Sequence, residues 1–360
     1  MIKKNHNSIK NIEKKFSIYR ILLAILISLA IALALIMLVS KNPMKDFMTL
    51  LIGPLQNKNG LTSVVSKSIP LLFTGVAICL VNKCGQINIA AEGAFFSGAV
   101  AATAIAILPG IPGPIHSILC VLLAGLVGAL VMGLPGYFHV KFNAVTIVTS
   151  LMINYVALYL GLYLILNPLY DSTAGFEASY LFQSSSKLLT LFGNSRIHIG
   201  LLVGLLVVGF GWFLLFRTSF GTQVRSIGQN PNYALYSGMP VKKTIIAISA
   251  IAGSIAGIGG AFEVLGNYQR FVYTGFTNHG WDGVMLAVMC YNRPQLIPFA
   301  AIFLAYIRTS ADTLNFTSSI PPEIVSIIQG VIIIFVAAER FLSNWEHKAI
   351  VSNSKKNLEN

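Results

Sequence analysis

The sequence predicts an all-α, polytopic transmembrane protein of about ten spans, with broken or re-entrant segments and a candidate two-fold internal repeat. Three observations carry that expectation. The chain of 360 residues is 55% hydrophobic and only 10% charged, with mean hydropathy +0.73, whereas a soluble domain carries about 25% charged residues. Its apolar runs are separated by short polar segments holding most of the Lys and Arg. Two polar elements of one form, Asn88-Ile-Ala-Ala-Glu92-Gly93 and Asn278-His-Gly-Trp-Asp282-Gly283, interrupt apolar stretches in opposite halves. A carboxylate at membrane depth costs on the order of a few kcal/mol. Two of them, each beside a glycine, point to a two-part molecule whose polar groups face a path or each other.

The elements follow in order. Residues 1–20 carry Lys3, Lys4, Lys10, Lys14, Lys15 and Arg20, and 21–40 is uncharged. A cleaved signal has an apolar core of about 7–15 residues. This run is longer, so it reads as a retained first span with its amino end in the cytoplasm. The mixed stretch 41–67 is expected outside, partly as an interfacial helix. Further spans are expected at 68–81, 89–108, 118–137, 145–166, 199–216, 244–265, a short one at 281–290, then 295–312 and 322–341. The domain organisation is a cytoplasmic basic tail (1–20), a transmembrane domain (21–341) and a cytoplasmic tail (342–360).

An even number of spans places both termini in the cytoplasm. Lys83, Lys141, Arg217, Arg225, Lys242, Lys243, Arg293 and Arg340 fall on the inner side of this count, as the positive-inside rule requires. Lys41, Lys45, Lys58, Lys67, Lys187, Arg196 and Arg270 fall outside and argue against it, but the basic amino terminus outweighs them. The net charge of +13 is spread over span ends, which fits a lipid bilayer and excludes a nucleic-acid patch.

No catalytic constellation stands in the chain. There is no G-x-x-x-x-G-K-[ST] phosphate loop. The run Gly253-Ser-Ile-Ala-Gly257-Ile-Gly259-Gly260 lies in an apolar span, where small residues at i, i+4 serve close helix packing. The six histidines lack ligand spacing, and Cys79, Cys84, Cys120 and Cys290 lack paired C-x-x-C spacing, so no metal site is expected.

The polar loop 217–243 carries helix punctuation. Asn230 can cap a short helix that starts at Pro231 and ends at Gly238. It reads either as a surface helix or as a docking helix for a cytoplasmic partner. Near a helix amino end, Glu92 and Asp282 read either as anchors helped by the macrodipole or as solute contacts. Asn154 reads as interhelical glue or as path lining.

Five stretches carry a resemblance: Pro70-Leu-Leu-Phe-Thr-Gly75, Gly85-Gln-Ile-Asn88-Ile-Ala-Ala-Glu92-Gly93, residues 143–155 with Met152-Ile-Asn154-Tyr155, the loop 221–238, and 270–283 ending in Trp281-Asp282-Gly283. Over roughly residues 68–341 the chain resembles the permease subunits of ATP-binding-cassette importers in the branched-chain amino acid, ribose and nucleoside group. The Asn-Ile-x-x-Glu-Gly element resembles the nucleoside and simple-sugar branch. Ala91 and Ala94-Phe95 depart from the Gly and Gln-Leu that the family often carries there. The resemblance implies a bacterial cell membrane and a second permease subunit, identical or paralogous. It also implies a cytoplasmic ATPase that holds the ATP, an extracytoplasmic solute-binding lipoprotein, and no cofactor on this chain. From the residues themselves a substrate path is expected near Asn88, Glu92, Asn154, Asn278 and Asp282; the resemblance adds an ATPase coupling loop with Gly228, Asn230, Pro231, Ala234 and Gly238. A nucleoside is the first-choice solute. A simple sugar, a riboflavin-like solute or a branched-chain amino acid are alternatives, and a secondary transporter with a midplane site is the other class.

Overall fold

The computed structural model describes residues 26–191, 196–318 and 320–337. The tails expected at 1–20 and 342–360 lie outside the described residues. The described chain is helical: α1 (Leu26–Val39), α2 (Pro43–Gln56), α3 (Lys58–Lys83), α4 (Ala91–Ala106), α5 (Gly113–Phe142), α6 (Thr146–Leu166), α7 (Gly200–Arg217), α8 (Ser219–Gln229), α9 (Pro231–Tyr236), α10 (Val241–Asn267), α11 (His279–Met289), α12 (Ile297–Thr317) and α13 (Pro322–Ala337). A helix stands at each of the ten expected spans. Among the described residues α3, α5, α6, α7 and α10 are each long and apolar enough to cross a membrane.

The stretch 41–67 differs from expectation. It forms α2 and the first part of a 26-residue α3, so the second span starts ten residues before 68. Hydropathy stops at the polar run Ser66-Lys67-Ser68, but the helix continues because those groups find partners. Ser66 Oγ donates to Asn267 Oδ1 at 2.8 Å, and Ser68 Oγ donates to the Val65 carbonyl at 2.7 Å.

The chain divides into two compact units. One comprises the described residues of 1–56 and 307–360. Within it the Asp46 carboxylate accepts from Ser40 Oγ at 2.6 Å, tying the start of α2 to the end of α1.

The second unit is Asn57–Tyr306. Its interior is built on α3 and α10, whose most apolar windows are 89% and 67% buried, against 33% or less for α5, α6 and α7. Buried helices that are apolar all round form the core, and the outer three turn a face to lipid. Glycines bring α10 against its neighbours. A Cβ on Gly253 would lie 2.7 Å from Met132 Cβ, and one on Gly257 3.0 Å from Gly128 Cα. This is the small-residue packing expected of that run.

The packing is reciprocal between the two halves. α3 leads through a break to α4, and α10 leads through a break to α11. α4 packs on α10, and α11 packs on α3, as a two-fold repeat would arrange them. The 167–191 segment is stitched to the second break. Phe182 N donates to the Gln269 carbonyl at 2.9 Å, and Ser179 N to the Phe271 carbonyl at 3.1 Å. Arg270 pairs with Asp171 at 3.2 Å. Hydrogen bonds from Thr173 first, and the Arg270 guanidinium second, hold the Asp171 carboxyl below the ordinary aspartate range.

Candidate functional site

The two Asn-x-x-x-acid-Gly elements meet. α4 starts at Ala91, so Glu92 stands in its first turn, and α11 starts at His279. The Glu92 side chain crosses to the other element. One carboxylate oxygen accepts from Thr277 Oγ1 at 2.9 Å and Asn278 N at 2.8 Å; the other accepts from Gly280 N at 2.6 Å. Two helix amino ends, each carrying about half a positive charge, would repel at this distance. A carboxylate between them offsets both, and it satisfies amides that α11 leaves without a helical partner. Glu92 is 0% exposed.

The close approach sets the residue types around it. A Cβ on Gly280 would overlap the Glu92 main chain, and one on Gly283 would come within 2.8 Å of Thr74. Asn278 takes φ +64°, the left-handed region that Asn tolerates better than most residues. That turn points the Asn278 and Gly280 amides at Glu92.

The break before α4 is held from the other side. Gly85 ends α3 with φ +73°. Asn88 donates from Nδ2 to the Met132 carbonyl at 2.9 Å and accepts from Ala90 N at 3.0 Å. Asn154 accepts from Gly93 N at 2.8 Å and donates to the Ile89 carbonyl at 3.0 Å. Thr146 Oγ1 donates to Gln86 Oε1 at 3.0 Å. The Asn154 side chain of α6 thus replaces hydrogen bonds that an extended backbone loses in an apolar surrounding, and a main-chain carbonyl of α5 holds the Asn88 amide. The structure gathers Asn88, Glu92, Asn154 and Asn278 around the two breaks. Asp282 is enclosed on α11, and Asn278 is exposed.

The loop 217–243 folds into α8 and α9. Thr218 caps α8 by accepting from Gly221 N at 3.0 Å. Asn230 caps α9 by accepting from Tyr233 N at 3.0 Å, with Pro231 in its first turn. Gly238, at φ +76°, closes α9. Gly238 N reaches the Leu235 carbonyl and Met239 N the Ala234 carbonyl, both at 3.0 Å, the paired bonds of a Schellman ending. The capped helix expected from the sequence is therefore present.

Ala234, expected to meet a partner, is 0% exposed, because α9 folds back on α8 and on the start of α10. The outward large apolar side chains are Tyr233, Leu235 and Tyr236, the last 89% exposed, and Asn230, Pro231 and Gly238 are exposed beside them. Gly228 is exposed on one side and packed on the other. It packs on the end of α3, where a Cβ on Gly85 would lie 3.2 Å from Gly228 Cα. Sequence reasoning missed these roles. The apolar run Tyr233-Ala-Leu-Tyr236 in a polar loop was the available signal for the first. Among the described residues no group of His, Cys, Asp and Glu gathers as metal ligands.

Comparison with known proteins decides the family. Residues 60–337 match the family described as the permease component of the branched-chain amino acid transport system. The chain belongs to this permease family. It is therefore a multi-pass membrane permease of an ATP-binding-cassette transporter, and permease components are not enzymes. It is 31% identical to a guanosine ABC transporter permease of Bacillus subtilis, covering 88% of this chain and 92% of that one. It is 27% identical to a glucose ABC transporter permease of Haloferax volcanii, over 90% and 88% of the two chains. It is 26% identical to a nucleoside ABC transporter permease of Lactococcus lactis, over 88% and 90%. No solved structure matches the permease.

Proposed function

We propose that this permease forms the translocation path for a nucleoside, together with a second permease subunit, identical or paralogous. In this reading ATP-binding-cassette ATPases bind ATP on the cytoplasmic side, and an extracytoplasmic lipoprotein delivers the solute. Both termini are cytoplasmic, with tails at 1–20 and 342–360 flanking the permease domain 21–341, in a bacterial cell membrane. The guanosine and nucleoside permeases among the relatives support the solute, as does the Asn-Ile-x-x-Glu-Gly element. A simple sugar is the second reading, favoured by the similarity to a glucose permease.

The observation that carries the coupling part is the seat of Gly228 on Gly85. An ATPase engaging Tyr233, Leu235 and Tyr236 on α9 would move α8. Through Gly228 it would move the end of α3 and the break that carries Asn88 to Glu92. Glu92 holds the first turn of α11, so both breaks would shift together. Asn88, Glu92, Asn154, Asn278 and Asp282 shape the path wall in this scheme. Gly228, Asn230, Pro231, Ala234 and Gly238 build the coupling element, with Ala234 as its inner packing face.

The test is Tyr236→Glu in vesicles that also contain the ATPase and the lipoprotein. Solute-stimulated ATP hydrolysis and uptake are expected to fall at least about tenfold, the loss that an interface aromatic anchor gives, while the amount of inserted permease stays unchanged. Normal hydrolysis and uptake would remove α9 as the docking element. Calorimetric titration of the lipoprotein with guanosine and with glucose separates the two solute readings.

A further inference from the structure

α6 presents two adjoining outward faces of different chemistry. Tyr155, Tyr159 and Tyr163 are spaced four apart, so they lie one above another on one stripe. They are 53%, 66% and 61% exposed, whereas Ser150, Asn154, Ala157 and Ile165 are buried. The next stripe, Val156, Leu160 and Leu164, is apolar and borders a carbon-walled groove of about 420 Å³ shared with α4 and α5. That second stripe suits lipid tails.

The tyrosine stripe does not. At about 1.5 Å rise per residue, Tyr155 and Tyr159 stand about 14 and 20 Å along the helix from Thr146, inside a hydrocarbon layer about 30 Å thick. Tyr163 lies near the end of the helix, where interfacial aromatics are ordinary. A phenol hydroxyl facing hydrocarbon loses its hydrogen bonds with water and gains none. Burying the ring while keeping the hydroxyl wet requires a polar surrounding on that side.

The stripe is continuous with the site where the two breaks meet. The Tyr155 ring packs edge-on against Phe276 at 5.3 Å. Phe276 precedes Thr277, which donates to Glu92, and Asn154 beside Tyr155 holds the Gly93 amide. The hydroxyl-bearing face thus runs from the junction of the broken segments along the length of α6.

We propose that Tyr155 and Tyr159 line the solute path and receive the base of a nucleoside on their ring faces, with their hydroxyls toward the ribose and the base edges. Flat heteroaromatic bases stack on aromatic side chains without needing one particular base, and rings one helical turn apart offer successive places along a path. The ligand part rests on the nucleoside reading above; the path part does not.

The experiment uses full-length permease in membranes of its own cell. The variants are Tyr155→Cys, Tyr159→Cys, Val156→Cys and Leu160→Cys, treated with a charged, membrane-impermeant thiol reagent alone, with guanosine or with uridine. The four native cysteines are buried and give a low background. Labelling at 155 and 159 is expected to run about tenfold faster than at 156 and 160, because the charged reagent does not enter lipid, and guanosine is expected to slow it. Equal rates on the two stripes would overturn the inference, even with normal uptake of radiolabelled guanosine. Fast labelling at 155 and 159 that neither guanosine nor uridine slows would uphold the path and overturn the nucleoside assignment. If Tyr155→Cys reaches the membrane poorly through loss of the Phe276 contact, Tyr159→Cys carries the same test.

Discussion

The breaks before α4 and before α11 begin from the same six-residue pattern and end as different structures. In the first, Asn88 is enclosed and uses both ends of its amide, one of them on the Met132 carbonyl of α5, while side chains of α6 hold the backbone at Ile89 and Gly93 and the side chain of Gln86. In the second, Asn278 is exposed and serves through its backbone, turning at φ +64°. Its hold on the rest comes from Glu92 and, further back, from the 167–191 segment. One break is an anchor and the other is docked onto it. The difference comes from the neighbours: the first break lies among side chains that substitute for lost backbone hydrogen bonds, and the second receives a carboxylate from the first.

The largest expected effect comes from breaking the contact between the two. Gly280→Val puts side-chain atoms into the Glu92 main chain. It is expected to cost about 3 kcal/mol or more, read as loss of detergent-stable permease and a lowered Tm. A Tm within a degree or two of wild type would mean that the breaks do not meet as described.

The docking carboxylate comes next. Glu92→Gln keeps size but replaces one acceptor with an amide donor facing an N–H. It is expected to lose about 1.5–3 kcal/mol, the range for a hydrogen bond to a charged group. Uptake per folded permease is expected to fall further than stability does, because the two breaks would no longer move as one. A variant with lowered Tm and full uptake would make Glu92 a brace only.

The smallest effect sharpens the comparison itself. Asn88→Gly strands the Met132 carbonyl and the Ala90 amide and is expected to cost about 2 kcal/mol. Asn278→Gly keeps the left-handed turn at no steric cost and is expected to stay within about 0.5 kcal/mol of wild type. Chemical denaturation of the two single variants checks this. Equal losses would mean that the two asparagines do the same job.

Much of the layout was legible in the sequence because its causes are local. Apolar runs long enough to span a bilayer placed the helices within a few residues. The capped α9 was readable because Asn230, Pro231 and Gly238 act on their own backbone within one short segment. The early start of α3 was not readable. Ser66 looks like the end of a span until Asn267, 201 residues away, supplies its partner.

The same divide separates what the sequence determined from what the tertiary structure decided. By itself the sequence determined a polytopic helical protein without a nucleotide motif, with two acid–Gly elements and a punctuated loop between α7 and α10. Only the tertiary structure decided that the first acid caps the second element, that Ala234 faces inward while Tyr233, Leu235 and Tyr236 face out, and that Gly228 sits on Gly85. Hydropathy and capping depend on residues a few positions apart. The hydrogen bond from Asn278 to Glu92 joins residues 186 apart, and which donor a buried carboxylate finds depends on the packing that brings the two breaks together.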